Sequence, residues 1–157
     1  MNSLHPRTVI LWRAWGLTAW LILAAVVAFL ELTVLAPAGV QPITTGFITG
    51  LVAAVGLTHA WGWPPLRYRH WRWAVEPDRV LIERGVIWRS RSLIPRVRVQ
   101  HVDTRTSPLQ RWLGLSSLII YTAGTRGADA ELPGLTAADA ERLREELAEL
   151  EDLDERA

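Results

Sequence analysis

The chain has 157 residues, half of them hydrophobic, and a formal net charge of +1 at pH 7. It contains no cysteine, which excludes disulfides, thiolate metal sites and cysteine nucleophiles. The small net charge hides a division, because residues 1–128 carry 14 arginines against five acidic residues, whereas residues 129–157 carry three against 11. A basic body beside an acidic tail indicates an anionic membrane or partner, or two halves that neutralise each other within one fold.

Two long apolar runs occupy the first part of the chain. They cover about residues 12–35 and about residues 43–63, each close to the ~20 residues with which a helix crosses a bilayer. The residues between them, 36–42, include two prolines and a glycine and are typical of a turn. We therefore predict a two-helix transmembrane hairpin over residues 1–65, with the second helix ending at Pro64 and Pro65.

The placement of arginine predicts the orientation of this hairpin. Arg7 and Arg13 precede the first run, three more arginines follow the second run by position 72, and the connecting turn has none. Loops rich in arginine stay in the cytoplasm. The prediction is a multi-pass membrane protein with both termini cytoplasmic.

Small residues predict how the two helices pack. Gly46, Gly50 and Ala54 are spaced four residues apart on the second helix, and small residues at this spacing let helices approach closely. The first helix or a second protomer could be the partner. Glu31 is interpreted as an interfacial carboxylate and His59 as an interfacial histidine, with a proton relay through the two as the alternative.

Residues 66–157 predict one α+β domain. Alternating apolar residues and turn signals indicate strands at 71–76, 79–83, 86–93, 96–106, 116–123 and 129–132. The inward-facing parity changes within the fourth strand, which predicts a bulge near Gln100 and His101. A helix at about 136–152 follows, because Thr136 and Asp139 have capping-box spacing and apolar residues recur on one face.

A central stretch of this domain resembles the bacterial pleckstrin-homology (PH) domains of the second type, as found in YdbS-like membrane proteins. The resemblance lies in Ile94-Pro95, Val99-Gln100, the run LQRWLG at 109–114 and the run YTAG at 121–124. It implies a bent antiparallel sheet or barrel of about seven strands, capped by the C-terminal helix. It implies no enzymatic activity, no cofactor and no catalytic residue. One departure is the turn at 76–79, which carries two acids where phosphoinositide-binding PH domains carry basic residues.

Six arginines in this domain are the candidate residues for binding an anion or a partner. Only one acidic residue, Asp103, lies among them, and arginine is suited to bidentate capture of phosphate or carboxylate. A solvated strand face is the alternative interpretation. The six are Arg89, Arg91, Arg96, Arg98, Arg105 and Arg111.

The sequence therefore predicts a non-enzymatic interaction or assembly module, anchored in the bilayer and working with another membrane protein. The alternative is that the arginines bind anionic lipid headgroups. Neither nucleic acid nor a metal is expected, because the chain is predicted to be anchored in a membrane and no histidine has metal-ligand spacing with Asp or Glu.

Overall fold

The structure is a computed structural model, and it describes residues 1–35, 37, 46–122 and 130–154. Two compact units divide the chain: a helical unit, Trp12–Pro65, and a sheet unit, which joins Met1–Leu11 to Leu66–Ala157. The helices are α1 (Thr8–Leu30), α2 (Phe47–Arg69), α3 (Pro108–Leu113) and α4 (Ala137–Asp154). The strands are β1 (Arg72–Val75), β2 (Arg79–Arg84), β3 (Ser90–Pro95), β4 (Val99–Arg105), β5 (Leu115–Thr122) and β6 (Ala130–Thr136).

One segment in the described part of the chain is long and apolar enough to cross a membrane. It is Thr8–Val34, which comprises α1 and most of the π-helical turn Glu31–Leu35 that follows it. The second predicted span is not shown by the same criterion of length and composition. The reason lies in α2, where a histidine, two tryptophans and three glycines lower the mean hydropathy. Apart from Pro37, the predicted turn at 36–42 lies outside the described residues, as do residues 43–45.

The prediction that α2 ends at its two prolines is wrong. The helix continues through Pro64 and Pro65 to Arg69. A proline removes its own amide hydrogen bond and crowds the carbonyl four residues earlier, but neither effect prevents the residues that follow from staying helical.

The contact between α1 and α2 uses other small residues than the predicted ones. A side chain added at Gly46 or Gly50 would meet nothing within 4 Å, and Ala54 is exposed. The close approaches are at Gly16, where an added Cβ would lie 3.5 Å from Ala60 Cβ, and at Gly56, where it would lie 2.8 Å from Trp20. The rotation of α2 about its axis places the GxxxG face away from α1. Residue spacing alone does not determine this rotation.

Glu31 has a structural role within the helical unit. It is 3% exposed, and its carboxylate accepts hydrogen bonds from the backbone N–H of Gly46 (2.9 Å) and from the hydroxyl of Thr49 (2.7 Å). The Thr49 N–H also donates to it at 3.3 Å. A carboxylate at the beginning of a helix satisfies N–H groups that have no partner within the helix.

His59 also has defined neighbours in the helical unit. Its Nδ1 accepts a hydrogen bond from Trp20 Nε1 at 3.2 Å, and its ring stacks on Trp63 with the centroids 5.8 Å apart. With Glu31 bonded to the beginning of α2, the described contacts of Glu31 and His59 do not join them into a relay.

The sheet unit contains two antiparallel three-stranded sheets, ordered β1-β2-β3 and β4-β5-β6. β2 buries the consecutive residues Val80, Leu81 and Ile82, so both of its faces are covered. β5 is buried from Leu115 to Ile120 and is the most enclosed strand. Its position in the middle of its sheet explains why it is rich in β-branched and apolar residues.

Two predicted strands need correction. Residues 86–89 form a loop, and β3 begins at Ser90. Arg96–Arg98 forms a 3₁₀ turn, and β4 begins only at Val99. This turn separates β3 from β4, which join different sheets, and the single sheet of about seven strands is therefore not shown. The predicted bulge is confirmed, because the register between β4 and β5 shifts between Val99 and His101.

The C-terminal helix agrees with its prediction. Thr136 Oγ1 accepts the Asp139 N–H at 3.0 Å and donates to the Asp139 carboxylate at 2.8 Å. Ala140, Leu143 and Leu147 are buried, and α4 contacts all three strands of the β4-β5-β6 sheet. This apolar stripe holds the helix on the sheet.

The N-terminal residues belong to the sheet unit, which the sequence did not indicate. Asn2 exchanges two backbone hydrogen bonds with Trp73 on β1, at 2.6 and 3.0 Å. Leu4 is 1% exposed, and its carbonyl accepts the Tyr68 hydroxyl at 3.0 Å. Thr8 Oγ1 donates to the Gly134 carbonyl on β6 at 3.2 Å. The first residues therefore connect to strands of both sheets before α1 begins.

Candidate functional site

The six candidate arginines do not form one cluster. Arg89 and Arg91 lie at the β2–β3 hairpin, whereas Arg96 and Arg98 lie in the 3₁₀ turn that precedes β4. The other two, Arg105 at the end of β4 and Arg111 on α3, lie in or beside the second sheet's elements. Because the six are divided between the two sheets and the turn between them, each group must be assessed separately.

Arg96 is part of the core of the sheet unit. Its side chain is 11% exposed, and its guanidinium donates to the Glu76 carbonyl at 3.3 Å and to the Glu146 carbonyl on α4 at 2.9 Å. The Glu146 carboxylate lies 3.6 Å from Arg96 Nη2, which is the nitrogen that donates to the Glu146 carbonyl. These contacts use Nη1 and Nη2, and Nε is buried without a hydrogen-bond partner among the described residues, so the guanidinium is not presented to a ligand in solution. Arg96 therefore connects the β1–β2 turn to the terminal helix.

The β1–β2 turn itself holds its charges in internal pairs. Arg79 Nε lies 2.6 Å from the Glu76 carboxylate and 3.5 Å from the Asp78 carboxylate. The hydrogen bond to Glu76 and the nearby Asp78 charge raise the pKa of Arg79 above its ordinary value. The arginine of this turn is thus neutralised by its own neighbours. This arrangement is consistent with the sequence argument against inositol-phosphate binding at this turn.

Arg89 and Arg91 line a cleft of about 430 Å³ at the other end of the β2–β3 hairpin. We refer to it as the basic cleft, because five arginines and one carboxylate, Glu83, line it. Arg91 pairs with Glu83 across the two strands at 2.6 Å. The five arginines are Arg69, Arg72, Arg84, Arg89 and Arg91.

Three of these arginines were not among the predicted site residues. Arg69 and Arg72 were interpreted as flanking charges of the second span, and Arg84 lies between two predicted strands, 79–83 and 86–93. The signal that could have found them is strand register. β1 and β2 pair Arg72 with Glu83, and β2 and β3 pair Arg84 with Ser90. The β2–β3 hairpin therefore brings together the arginines that lie on either side of Gly85 in the sequence.

The remaining three arginines are exposed, and two of them are next to exposed apolar side chains in the sequence. Arg98, Arg105 and Arg111 are exposed. Beside them in the chain, Val97 is 81% exposed and Trp112 is 80% exposed. We call Arg111 and Trp112, which are adjacent on α3, the Trp112 surface. A tryptophan and an arginine that are adjacent and exposed on one short helix are typical of protein interfaces.

The other residues of the LQRWLG run are structural. Ser107 and Gln110 form a capping box at the beginning of α3, and Gln110 Nε2 donates to Ser117 Oγ at 2.9 Å. Leu113 packs with Leu11 and Leu115, and Leu109 adds to this group. Gly114 ends the helix in the left-handed conformation with φ 68°. Most of the LQRWLG run therefore builds the fold, and its arginine-tryptophan pair, Arg111-Trp112, remains exposed.

No metal-binding group forms among the residues that the structure describes. Within residues 1–35, 37, 46–122 and 130–154, no three His, Asp or Glu side chains are grouped to hold a metal ion. His101 stacks on Tyr121, with ring centroids 4.1 Å apart, and Asp103 is exposed on the same strand.

Comparison with known proteins agrees with the family resemblance. A family model described as "Bacterial PH domain" matches residues 9–151. The UPF0699 transmembrane protein YdbS of Bacillus subtilis (strain 168) is 36% identical over 87 residues, which are 55% of this chain and 53% of that protein. The chain thus matches about half the length of that relative. No solved structure matches the chain.

The family match and the fold support the same conclusion. The matched residues include the apolar helix α1, both three-stranded sheets and most of α4. Neither description names an enzymatic activity. The predicted resemblance is confirmed: this chain is a membrane-associated PH-like module and belongs to the bacterial PH domain family of YdbS-like proteins.

Proposed function

We propose that this protein is a non-enzymatic interaction or assembly module at the cytoplasmic face of the bacterial inner membrane. The helical unit anchors it, and the sheet unit recognises another membrane protein. The observation that carries this proposal is the exposed Arg111-Trp112 pair on α3, where Trp112 is 80% exposed. A large aromatic side chain left in water costs free energy that a partner's surface recovers.

The proposal includes a second membrane span formed by α2. Its large apolar residues are exposed within the helical unit, which is expected if they face lipid. The exposed side chains are Phe47, Ile48, Leu51, Val55, Leu57 and Trp61. Arg13 lies 4.3 Å from the Trp61 ring centroid, and such pairs are common where a helix leaves the hydrocarbon layer. Two spans and the arginine distribution together favour cytoplasmic termini.

The Trp112 surface has the composition of an interface centre. Tryptophan and arginine are enriched among the residues whose truncation weakens binding most, by about 2 kcal/mol or more. A partner that supplies a carboxylate and an apolar pocket would match these side chains, because arginine binds carboxylates through two parallel hydrogen bonds.

The test is crosslinking and affinity capture of the full chain in its native membrane. One variant carries Arg111→Ser and Trp112→Ser, and Arg96 is kept because it is structural. We expect a specific partner of the wild-type chain to be captured about 30-fold less well by this variant, as loss of about 2 kcal/mol implies.

The control variant carries Arg142→Ser and Arg144→Ser. Arg142 is exposed and Arg144 is half-buried on α4, and each pairs with an acid three residues earlier. The control should retain the partner. A partner that the Trp112 variant also retains would move the interface to the helical unit or α4, and the absence of any partner would contradict the proposal.

Anionic lipid headgroup binding is the second candidate function. It is favoured by the basic cleft, which contains Arg89 and Arg91 from the predicted set. Each basic residue close to an anionic leaflet contributes about 1 kcal/mol. Such binding would weaken as salt rises, since exposed charges are screened over about 10 Å at 0.1 M salt.

A further inference from the structure

The basic cleft has an excess of positive charge that the described residues do not neutralise. Glu83 is its one carboxylate, and Arg91 engages that carboxylate at 2.6 Å. Arg69 and Arg89 have no hydrogen-bond or ion-pair partner within the part of the chain that the structure describes. Cations gathered in a concave site raise the local positive potential and attract an anion. Two of the five arginines are therefore available to a ligand.

The loop beside the cleft exposes two large apolar side chains. Residues 85–89 connect β2 to β3, and within this loop Ile87 is 74% exposed and Trp88 is 88% exposed. Gly85, which lines the cleft, has φ 117°, and a Cβ there would collide with the Trp88 carbonyl. The close turn at Gly85 thus holds Ile87 and Trp88, which we call the Ile87-Trp88 tip, next to the arginines of the basic cleft.

Tryptophan beside arginine is the combination that suits a membrane interface. Trp side chains favour the headgroup level of a bilayer, and arginine donates to phosphate oxygens there. A soluble anion would account for the arginines but not for Ile87 and Trp88. The chain also limits the distance to the bilayer, because Arg69 is the last residue of α2 and lies six positions after Trp63, where the proposed second span ends.

We propose that the basic cleft and the Ile87-Trp88 tip bind the phosphate headgroup of an anionic phospholipid in the bilayer. Arg69 and Arg89 hold the phosphate, while Ile87 and Trp88 enter the interfacial layer. This proposal rests on the membrane anchoring in the proposed function, but not on the Trp112 surface. It also differs from recognition at the β1–β2 turn, where Arg79 is neutralised by Glu76 and Asp78.

The absence of cysteine allows a direct test with the full chain. An Ile87→Cys variant is labelled with a polarity-sensitive fluorophore and reconstituted in nanodiscs of phosphatidylcholine, with or without phosphatidylglycerol. We expect the emission to shift to shorter wavelength only in discs that contain phosphatidylglycerol, and the shift to diminish as salt is raised.

Arginine variants of the labelled chain identify the site. Arg69→Ser with Arg89→Ser should lower the docking equilibrium constant by about 30-fold, taking about fivefold for each lost charge. Arg69→Lys with Arg89→Lys should keep most of the docking, since the charge remains. The matched control, Arg142→Ser with Arg144→Ser, makes the same change in net charge on α4 and should leave docking unchanged.

Three results would overturn the proposal. A label that stays in water in every disc excludes insertion of the tip. An equal emission shift in discs with and without phosphatidylglycerol excludes recognition of an anionic headgroup. A response to glycerol phosphate in detergent, with none to phosphatidylglycerol discs, assigns the cleft to a soluble phosphate instead.

Partner capture separates this proposal from the proposed function. The Arg69→Ser, Arg89→Ser variant should lose docking and keep the partner, whereas Trp112→Ser should lose the partner and keep docking. Loss of docking in the Trp112→Ser variant would contradict the assignment of the headgroup to the basic cleft.

Discussion

At the scale of single residues, burial decides whether an arginine can bind a ligand. Arg96 and Arg105 are both arginines of the same predicted cluster. Arg96 is 11% exposed and bonded to two backbone carbonyls, whereas Arg105 is exposed at the end of β4. The buried guanidinium stabilises the fold because its hydrogen bonds replace those it lost to water.

Replacing Arg96 by Ala should therefore destabilise the sheet unit. We expect a loss of about 2–3 kcal/mol, because hydrogen bonds from a charged donor are worth about 1.5–3 kcal/mol and two carbonyls would lose their partner. The ion pair to Glu146 adds little, since that carboxylate is 49% exposed. Thermal unfolding of the full chain in detergent measures the effect. Arg105→Ala is the control and should unfold within about 0.5 kcal/mol of wild type.

Gly134 on β6 lies against Thr8, and its lack of a side chain lets the N-terminal segment pack there. It has φ 67°, and a Cβ there would collide with the Thr8 side chain. Gly134→Ala should cost about 2–4 kcal/mol, from the left-handed backbone and from overpacking against Thr8. Chemical unfolding followed by tryptophan fluorescence measures this cost. Gly62→Ala, where an added Cβ meets nothing within 4 Å, is the control. Equal midpoints for the two variants would contradict the packing of Thr8 on Gly134.

At the scale of elements, the rotation of a helix decides which of its small residues matter. The GxxxG face of α2 is exposed, and Gly56 instead faces Trp20 on α1. The spacing of four residues was present at both places, since Gly56 and Ala60 also lie four apart. Packing of Gly46, Gly50 and Ala54 against a second protomer stays a prediction.

Replacing Gly56 or Gly50 by leucine should distinguish the α1–α2 contact from packing against a second protomer. Gly56→Leu should disrupt the helical unit, because even a Cβ there lies 2.8 Å from Trp20, and overpacking costs about 1–3 kcal/mol. Gly50→Leu should leave the unit intact. The yield of monodisperse protein after detergent extraction and its thermal midpoint measure both. A loss of oligomers in Gly50→Leu, at unchanged stability, would support the second-protomer packing; equal damage by both variants would refute the α1–α2 contact.

At the scale of the whole molecule, charge is distributed according to position in the chain. Arg7 and Arg13 precede or begin the apolar segment, and Arg67, Arg69 and Arg72 follow α2. Some of these arginines also have local roles, since Arg7 donates to the Leu113 carbonyl at 3.1 Å at the end of α3. The same residues can thus stabilise the fold and determine its orientation in the bilayer.

Reporter fusions test the proposed topology. Green fluorescent protein should fluoresce when fused to either terminus, and alkaline phosphatase should be inactive there, because both ends are expected in the cytoplasm. Alkaline phosphatase inserted between residues 38 and 41 should be active. Active phosphatase at only one terminus would mean a single span, and activity at both termini would mean the reverse orientation.

The sequence by itself determined the membrane segment, the family and the C-terminal helix. These follow from local patterns: a long uncharged run, a spaced set of motif residues and a capped amphipathic stripe. The bulge near His101 was also predictable, because the alternation of apolar residues changes parity there.

Only the tertiary structure decided which arginines share a site and which are consumed by the fold. Sequence distance placed Arg96 with Arg89 and Arg91, but β-strand register joins the latter two to Arg69, Arg72 and Arg84. The tertiary structure also showed that Asn2 pairs with Trp73, 71 positions later in the chain. Non-local pairing depends on register and burial, which emerge when the sheets and helices pack together, and no local pattern in the chain encodes them.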